Sequence, residues 1–266
     1  MEIVIKEKTD QKLIVLAKRL FVDFCAATSA AFLVSPFIAI IDRSVIENAS
    51  GRNPLVTSIK AGFLSLLKKP HEFIRSRQFL LVYTVYSSTY ITVNNVDTLC
   101  HHHSLNNQIP KFFGASFANM ATCIYKDRQF TRMFGAIAPR SLPIATYGFF
   151  AARDSLTMAA SFNMPDIMGS RLYENGWVSD RERAMNFAQI ASPALAQLVS
   201  TPLHLFGLDL YNRRDVTMGG RTKLVMQQYS KSTFARIVRI APAFGIGGVA
   251  NRVFRRRIGQ FMNVER

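Results

Sequence analysis

Cysteine is scarce in this 266-residue chain: only Cys25, Cys100 and Cys123 are present. They are too few for a disulfide framework and too scattered for a zinc signature. Acids are scarce as well, with 17 Asp and Glu against 33 Lys and Arg and a formal net charge of +16. Yet charged residues make up only 19% of the chain, below the roughly 25% usual for soluble domains. A nucleic-acid-binding domain carries its basic patch on a well-charged surface, so nucleic acid is not an expected partner. Paired carboxylates, a Ser-His-Asp order and redox motifs are all missing, so neither a catalyst nor a cofactor is expected. The start lacks the charged-apolar-small order of a secretory signal. It also carries Glu2 and Glu7, acids that a cleaved mitochondrial presequence avoids.

What is abundant is apolar: 49% of the residues are hydrophobic, and the mean hydropathy is +0.11. A disordered basic tail is thereby excluded. Windows of membrane-spanning length pick out six apolar stretches, at residues 20–41, 79–96, 112–125, 142–164, 187–211 and 237–254. None is clean. The first holds Asp23 and Pro36, the fourth Arg153 and Asp154, and the fifth Pro193, Pro202, His204 and Asp209. On hydropathy alone, the buried helices of a large soluble α-protein read the same way.

The placement of Lys and Arg separates the two readings. The connections after the first, third and fifth stretches hold seven, four and seven, the last count including Arg239 at the opening of the sixth stretch, whereas the two between them hold one and three. Eighteen against four is the alternation that six spans need under the positive-inside rule, with both termini on the less basic face. Two of the basic connections contain an amphipathic segment. Residues 55–67 place Leu55, Ile59, Phe63 and Leu66 at helical spacing, and residues 222–238 place Val225, Tyr229 and Ile237 likewise.

An internal repeat accompanies this pattern. Arg140 with Pro143 opens the fourth stretch and Arg239 with Pro242 the sixth, and each Arg is followed thirteen residues on by another, Arg153 and Arg252. Arg77 with Leu80 and Tyr90 is a weaker copy. Pro36 and Pro202 fall late in the first and fifth stretches, where proline kinks a helix.

Three pairs of helices, odd ones kinked at proline, with basic amphipathic connections on one face, resemble the mitochondrial carrier family over residues 20–257. Its odd helices end in Pro-x-acid-x-x-base. Pro36 and Pro202 match the proline, while Ile38 and His204 replace the acid; Tyr125 replaces the middle proline, Asp127 keeps the acid, and Arg132 keeps a later basic position. Its even helices carry an acid followed by a base. Tyr90, Arg153 and Arg252 stand at the acidic positions, with Asp154 adjacent, and of the basic positions only Arg255 is basic.

The resemblance implies an all-α membrane protein with six transmembrane helices in three pseudo-repeats of two and amphipathic helices on the matrix side. Its parts are an N-terminal segment 1–19 and repeats 20–111, 112–186 (with a shortened matrix loop) and 187–266. It further implies the mitochondrial inner membrane, with both termini toward the intermembrane space. Membrane lipids are expected partners, including an anionic lipid such as cardiolipin on the matrix side. Two functions follow: transport of a small anionic metabolite, or a carrier-shaped structural or assembly subunit of a membrane complex.

Charges inside spans are functional candidates because hydrocarbon makes them costly. Arg153 and Asp154 either face a cavity or snorkel to an interface. Asn94, Asn251 and Arg252 are further candidates to line a cavity, whereas Ser87, Ser88 and Thr89 read as small polar residues that hold helices together. Pro36, Asp127, Arg132, Pro202 and Asp209 are candidates for kink or gate positions. The run Gly245-Ile246-Gly247-Gly248 reads as close helix packing, and Cys100-His101-His102-His103 as a loop in place of a metal site.

Overall fold

The computed structural model describes residues 2–135, 141–162, 164–213, 215–240, 243 and 246–264. Among them lie ten helices: α1 (Glu2–Ala49), α2 (Leu55–Lys68), α3 (Pro70–Arg75), α4 (Arg77–His102), α5 (Gln108–Phe134), α6 (Ile144–Phe162), α7 (Met164–Glu174), α8 (Arg181–Asn212), α9 (Met218–Ile240) and α10 (Gly247–Phe261). The protein is all-α, with 88% of it helical.

Local chemistry sets the breaks. Gly51, at φ 75°, follows α1 in the left-handed region that favours glycine, and Pro54 precedes α2. Ser76 accepts from the backbone N–H of Phe79 and caps α4, and Asp180 accepts from that of Arg183 and caps α8. At the junction of α2 and α3, Lys69 donates to Glu72 at 2.8 Å, and that bond holds the exposed carboxyl below its usual range. The His101–His103 run forms the exposed C-terminal end of α4, where the expectation was a loop.

Pro36, Pro193 and Pro202 all lie inside continuous helices. Each proline removes one N–H and frees the carbonyl four residues back. For Pro202 that carbonyl belongs to Leu198, and the Tyr229 hydroxyl of α9 donates to it at 2.9 Å. Tyr229→Phe is therefore expected to lower thermal stability by about 1 kcal/mol. Thermal melts of the two purified forms will measure the difference.

The long helices form a cycle of neighbours: α1 on α4, α4 on α5, α5 on α6, α6 and α7 on α8, α8 on α9, and α9 and α10 back on α1. α1 also touches α5 and α8 across the ring, so side chains fill the interior. The amphipathic segments are where the spacing puts them. α2 lies on α1 with Gly62 against Ile40, where an added Cβ would collide with that side chain at 2.7 Å. α9 buries Val225, Ala235 and Arg236.

Polarity is arranged inside out. Asp23, Asp42, Lys126, Asp127, Arg153 and Arg236 are all buried, while Phe21, Phe32, Phe37, Phe113, Phe117 and Phe187 are exposed. Among the described residues, one helix is by length and composition long and apolar enough to cross a membrane, α1 over Gln11–Ala49. The inward-facing polar residues keep the hydropathy of the others lower.

Stretch 142–164 falls on α6 and the first residue of α7, and stretch 237–254 on the end of α9 and the first part of α10; residues 163, 241, 242, 244 and 245 lie outside the described residues. Arg140, Pro242 and Gly245 of the proposed repeat lie outside the described residues.

Candidate functional site

Two charge clusters sit inside the ring. In the inner one, Lys126 of α5 donates to Asp42 of α1 at 2.5 Å and pairs with Asp127 at 2.8 Å. Asp42 also receives Arg239 of α9 at 2.6 Å. Arg153 of α6 pairs with Asp127 and with Asp154, both at 2.6 Å. Its other terminal nitrogen lies 2.9 Å from His204 Nδ1 of α8. Arg236 of α9 is buried too, and donates to Gln197 at 3.1 Å, with no carboxylate partner among the described residues.

This cluster joins α1, α5, α6, α8 and α9 through three acids, four bases and one imidazole. Their charges offset the desolvation cost only as a set, since each needs a partner where water is excluded. A narrow cavity lies between Asp42, Lys126, Asp127, Arg153, His204 and Arg236. Three polar atoms of the cluster are buried without a hydrogen-bond partner, Asp127 Oδ2, which borders that cavity, and Asp154 Oδ2 and Arg239 Nε, which do not line it.

The outer cluster centres on Arg255 of α10. Its guanidinium donates to both carboxylate oxygens of Asp23 on α1. It also donates to Asp97 at 2.8 Å, to the Asn94 carbonyl at 2.9 Å and to Thr98 at 2.8 Å, all on α4. Asp97 in turn pairs with Lys111 of α5 at 3.1 Å. Asn94 and Asn251 exchange two hydrogen bonds of 2.9 Å. Asp23 and Asp42 lie 19 residues apart on α1, about 28 Å in a helix.

The candidates from the sequence thus separate. Arg153, Asp154 and Asp127 meet in the inner cluster, buried by neighbouring helices and not snorkelling. Asn94 and Asn251 meet in the outer one, bonded to each other across α4 and α10. Arg252 is exposed and shares no cavity with Arg153. Tyr90 donates to the Ala243 carbonyl at 2.8 Å. Gly247 packs against Tyr90 and Val34 with no room for a Cβ, as close packing requires. Pro36 and Pro202 act through backbone continuity. Arg132 has no ion pair among the described residues.

Asp209 belongs to neither cluster. It receives Arg213 at 2.6 Å and Arg221 at 2.7 Å, which ties the end of α8 to the start of α9. The matching tie at the end of α1 runs from Glu47 to Arg43 at 2.8 Å and Ser58 at 2.6 Å.

Reading the sequence by repeat underrated Asp23, Asp42, Asp97 and Arg239. An acid inside an apolar run was the available signal for Asp23. Nothing in the local sequence indicates that Arg255 is its partner, 232 residues away.

The family model described as "Probable citrulline exporter" matches residues 26–259. No curated protein matches the chain. The family match overturns the likeness to mitochondrial carriers. That likeness rested on a repeated Arg-x-x-Pro and late prolines, features that any set of kinked helices with basic starts can share.

Proposed function

Because the chain belongs to the probable citrulline exporter family, we propose that it carries a small zwitterionic amino acid of the citrulline kind across a membrane, and catalyses no reaction. The family supports the coarser part of this, transport of a small metabolite. The zwitterionic cargo replaces the anionic one expected from the excess of arginine.

One observation carries the reading: buried charges of both signs line the inside of a ring whose outer side chains are apolar. Lipid tolerates that arrangement and water does not favour it, since apolar side chains belong against hydrocarbon and charges against partners. An amino acid presents an ammonium and a carboxylate a few ångströms apart. Asp154 Oδ2 is a buried acceptor and Arg239 Nε a buried donor, each without a hydrogen-bond partner. The cargo's two ends would satisfy groups of those kinds, and Gln197 and His204 offer neutral polar contacts for a side chain.

In this reading all six stretches lie in the membrane. The proposed membrane is the mitochondrial inner membrane, with both termini toward the intermembrane space. The bases of the three rich connections, apart from Lys126, Arg236 and Arg239 of the inner cluster, support this by their place on one face, where anionic lipid head groups would meet them. Protease access to tagged termini in isolated mitochondria tests the orientation.

The second reading is a non-transporting subunit of a membrane complex, and the density of ion pairs in the inner cluster favours it. Reconstitution of the full chain in liposomes separates the two. Saturable, protein-dependent movement of radiolabelled citrulline is the expected result. Its absence across a panel of amino acids, with co-purification in a large complex, would leave the second reading.

A further inference from the structure

A second cavity opens at the end of the ring where α1, α4 and α10 meet. Its volume is about 480 Å³, within the range of small-molecule sites. Arg19 of α1 and Arg252, Arg255 and Arg256 of α10 line it, with Asp23 as its one acid among the described residues. Asp23 is already engaged, since Arg255 and Thr98 both donate to it. Arg255 is equally committed, to Asp23 and Asp97.

Arg252 and Arg256 are different. They lie one helical turn apart, both exposed on the cavity side, and neither has an ion pair or hydrogen bond among the described residues. Like charges at that spacing repel. Arg19 also borders a neighbouring cavity that holds Lys12 and His102 and, among the described residues, no acid. Among the described residues the rim is therefore a cationic surface whose carboxylates are spent. Guanidinium groups present planar forks of donors that match a phosphate oxygen pair, and such charge-assisted bonds are among the strongest available to a side chain.

We propose that this cavity is a binding site for a phosphate group, held by Arg252 and Arg256 with Arg19 beside them. It is separate from the inner cluster and independent of which cargo the ring carries. A phosphate monoester free in solution and a phospholipid head group share this chemistry. Either would join α1 to α10.

The test uses the full chain in nanodiscs of phosphatidylcholine, with inorganic phosphate as the probe. Phosphate is expected to raise the unfolding temperature more than chloride of equal ionic strength. Arg252→Gln with Arg256→Gln is expected to weaken apparent phosphate affinity by roughly tenfold or more. The corresponding double Lys variant, which keeps the charge and loses the fork, should fall between. The unfolding temperature without phosphate checks that each variant is folded. Nanodiscs with added phosphatidylglycerol separate the sources: loss of the phosphate effect there assigns the site to a head group, and its persistence to a soluble phosphate. Equal shifts with phosphate and chloride, unchanged by either variant in both kinds of nanodisc, would overturn the proposal.

Discussion

Arg153→Gln is expected to abolish transport and to destabilise the protein by about 3–5 kcal/mol, the usual cost of stripping one partner from a buried ion pair. Arg153 alone touches Asp127, Asp154 and His204. Without it Asp154 keeps no basic partner, while Asp127 keeps Lys126. The uncompensated carboxylate, with little access to water, accounts for most of the loss. Asp154→Asn with Arg153→Gln removes charges in pairs and should recover much of the stability while transport stays absent. Thermal unfolding in detergent and citrulline flux in liposomes report the two effects separately. If the single variant kept full flux, the inner cluster would not be the cargo site.

Arg255→Gln is the second large effect, and it acts on a different part of the ring. Arg255 bonds to Asp23, Asn94, Asp97 and Thr98, and so fastens α10 to α1 and α4 together. Beyond this the described polar contacts of α10 are the paired amides of Asn94 and Asn251. The expected loss is again about 3–5 kcal/mol, but local: α10 should detach before the rest unfolds. Limited proteolysis is the measurement. Cleavage should appear between residues 247 and 261, while the fragment from α1 through α9 stays intact. Asp23→Asn in the same chain removes the buried carboxylate that Arg255 neutralised, and should restore part of the protection. Uniform digestion of the whole chain would mean that Arg255 supports the fold globally.

Much of the helical frame was legible in the sequence, for a physical reason. Leu55, Ile59, Phe63 and Leu66 recur at helical spacing because one face of α2 must meet α1. Pro36 and Pro202 lie within helices, as their apolar surroundings require. Arg153 and Asp154 stood out because charge inside an apolar run needs a partner.

The partners were another matter. Lys126 meets Asp42 across 84 residues and Arg239 meets the same carboxylate across 197, and periodicity along one helix carries no information about which helix lies opposite. The family likeness failed at the same level. Spacing of Arg and Pro describes where helices start and bend, and many unrelated bundles share it.

The inside-out polarity bears on how the chain enters a membrane at all. A single Arg, Lys or Asp at the centre of a span costs about 2.5–3.5 kcal/mol during insertion. α5, α6 and α8 each carry such residues buried in the finished ring, so none is suited to enter alone. α1 is the exception, because it is apolar enough by composition and carries Asp23 and Asp42, the two acids around which the clusters assemble. It can thus serve as the template on which later helices neutralise their charges as they arrive, making biogenesis a cohort process in which each newcomer becomes tolerable to lipid only after it has found its counter-ion.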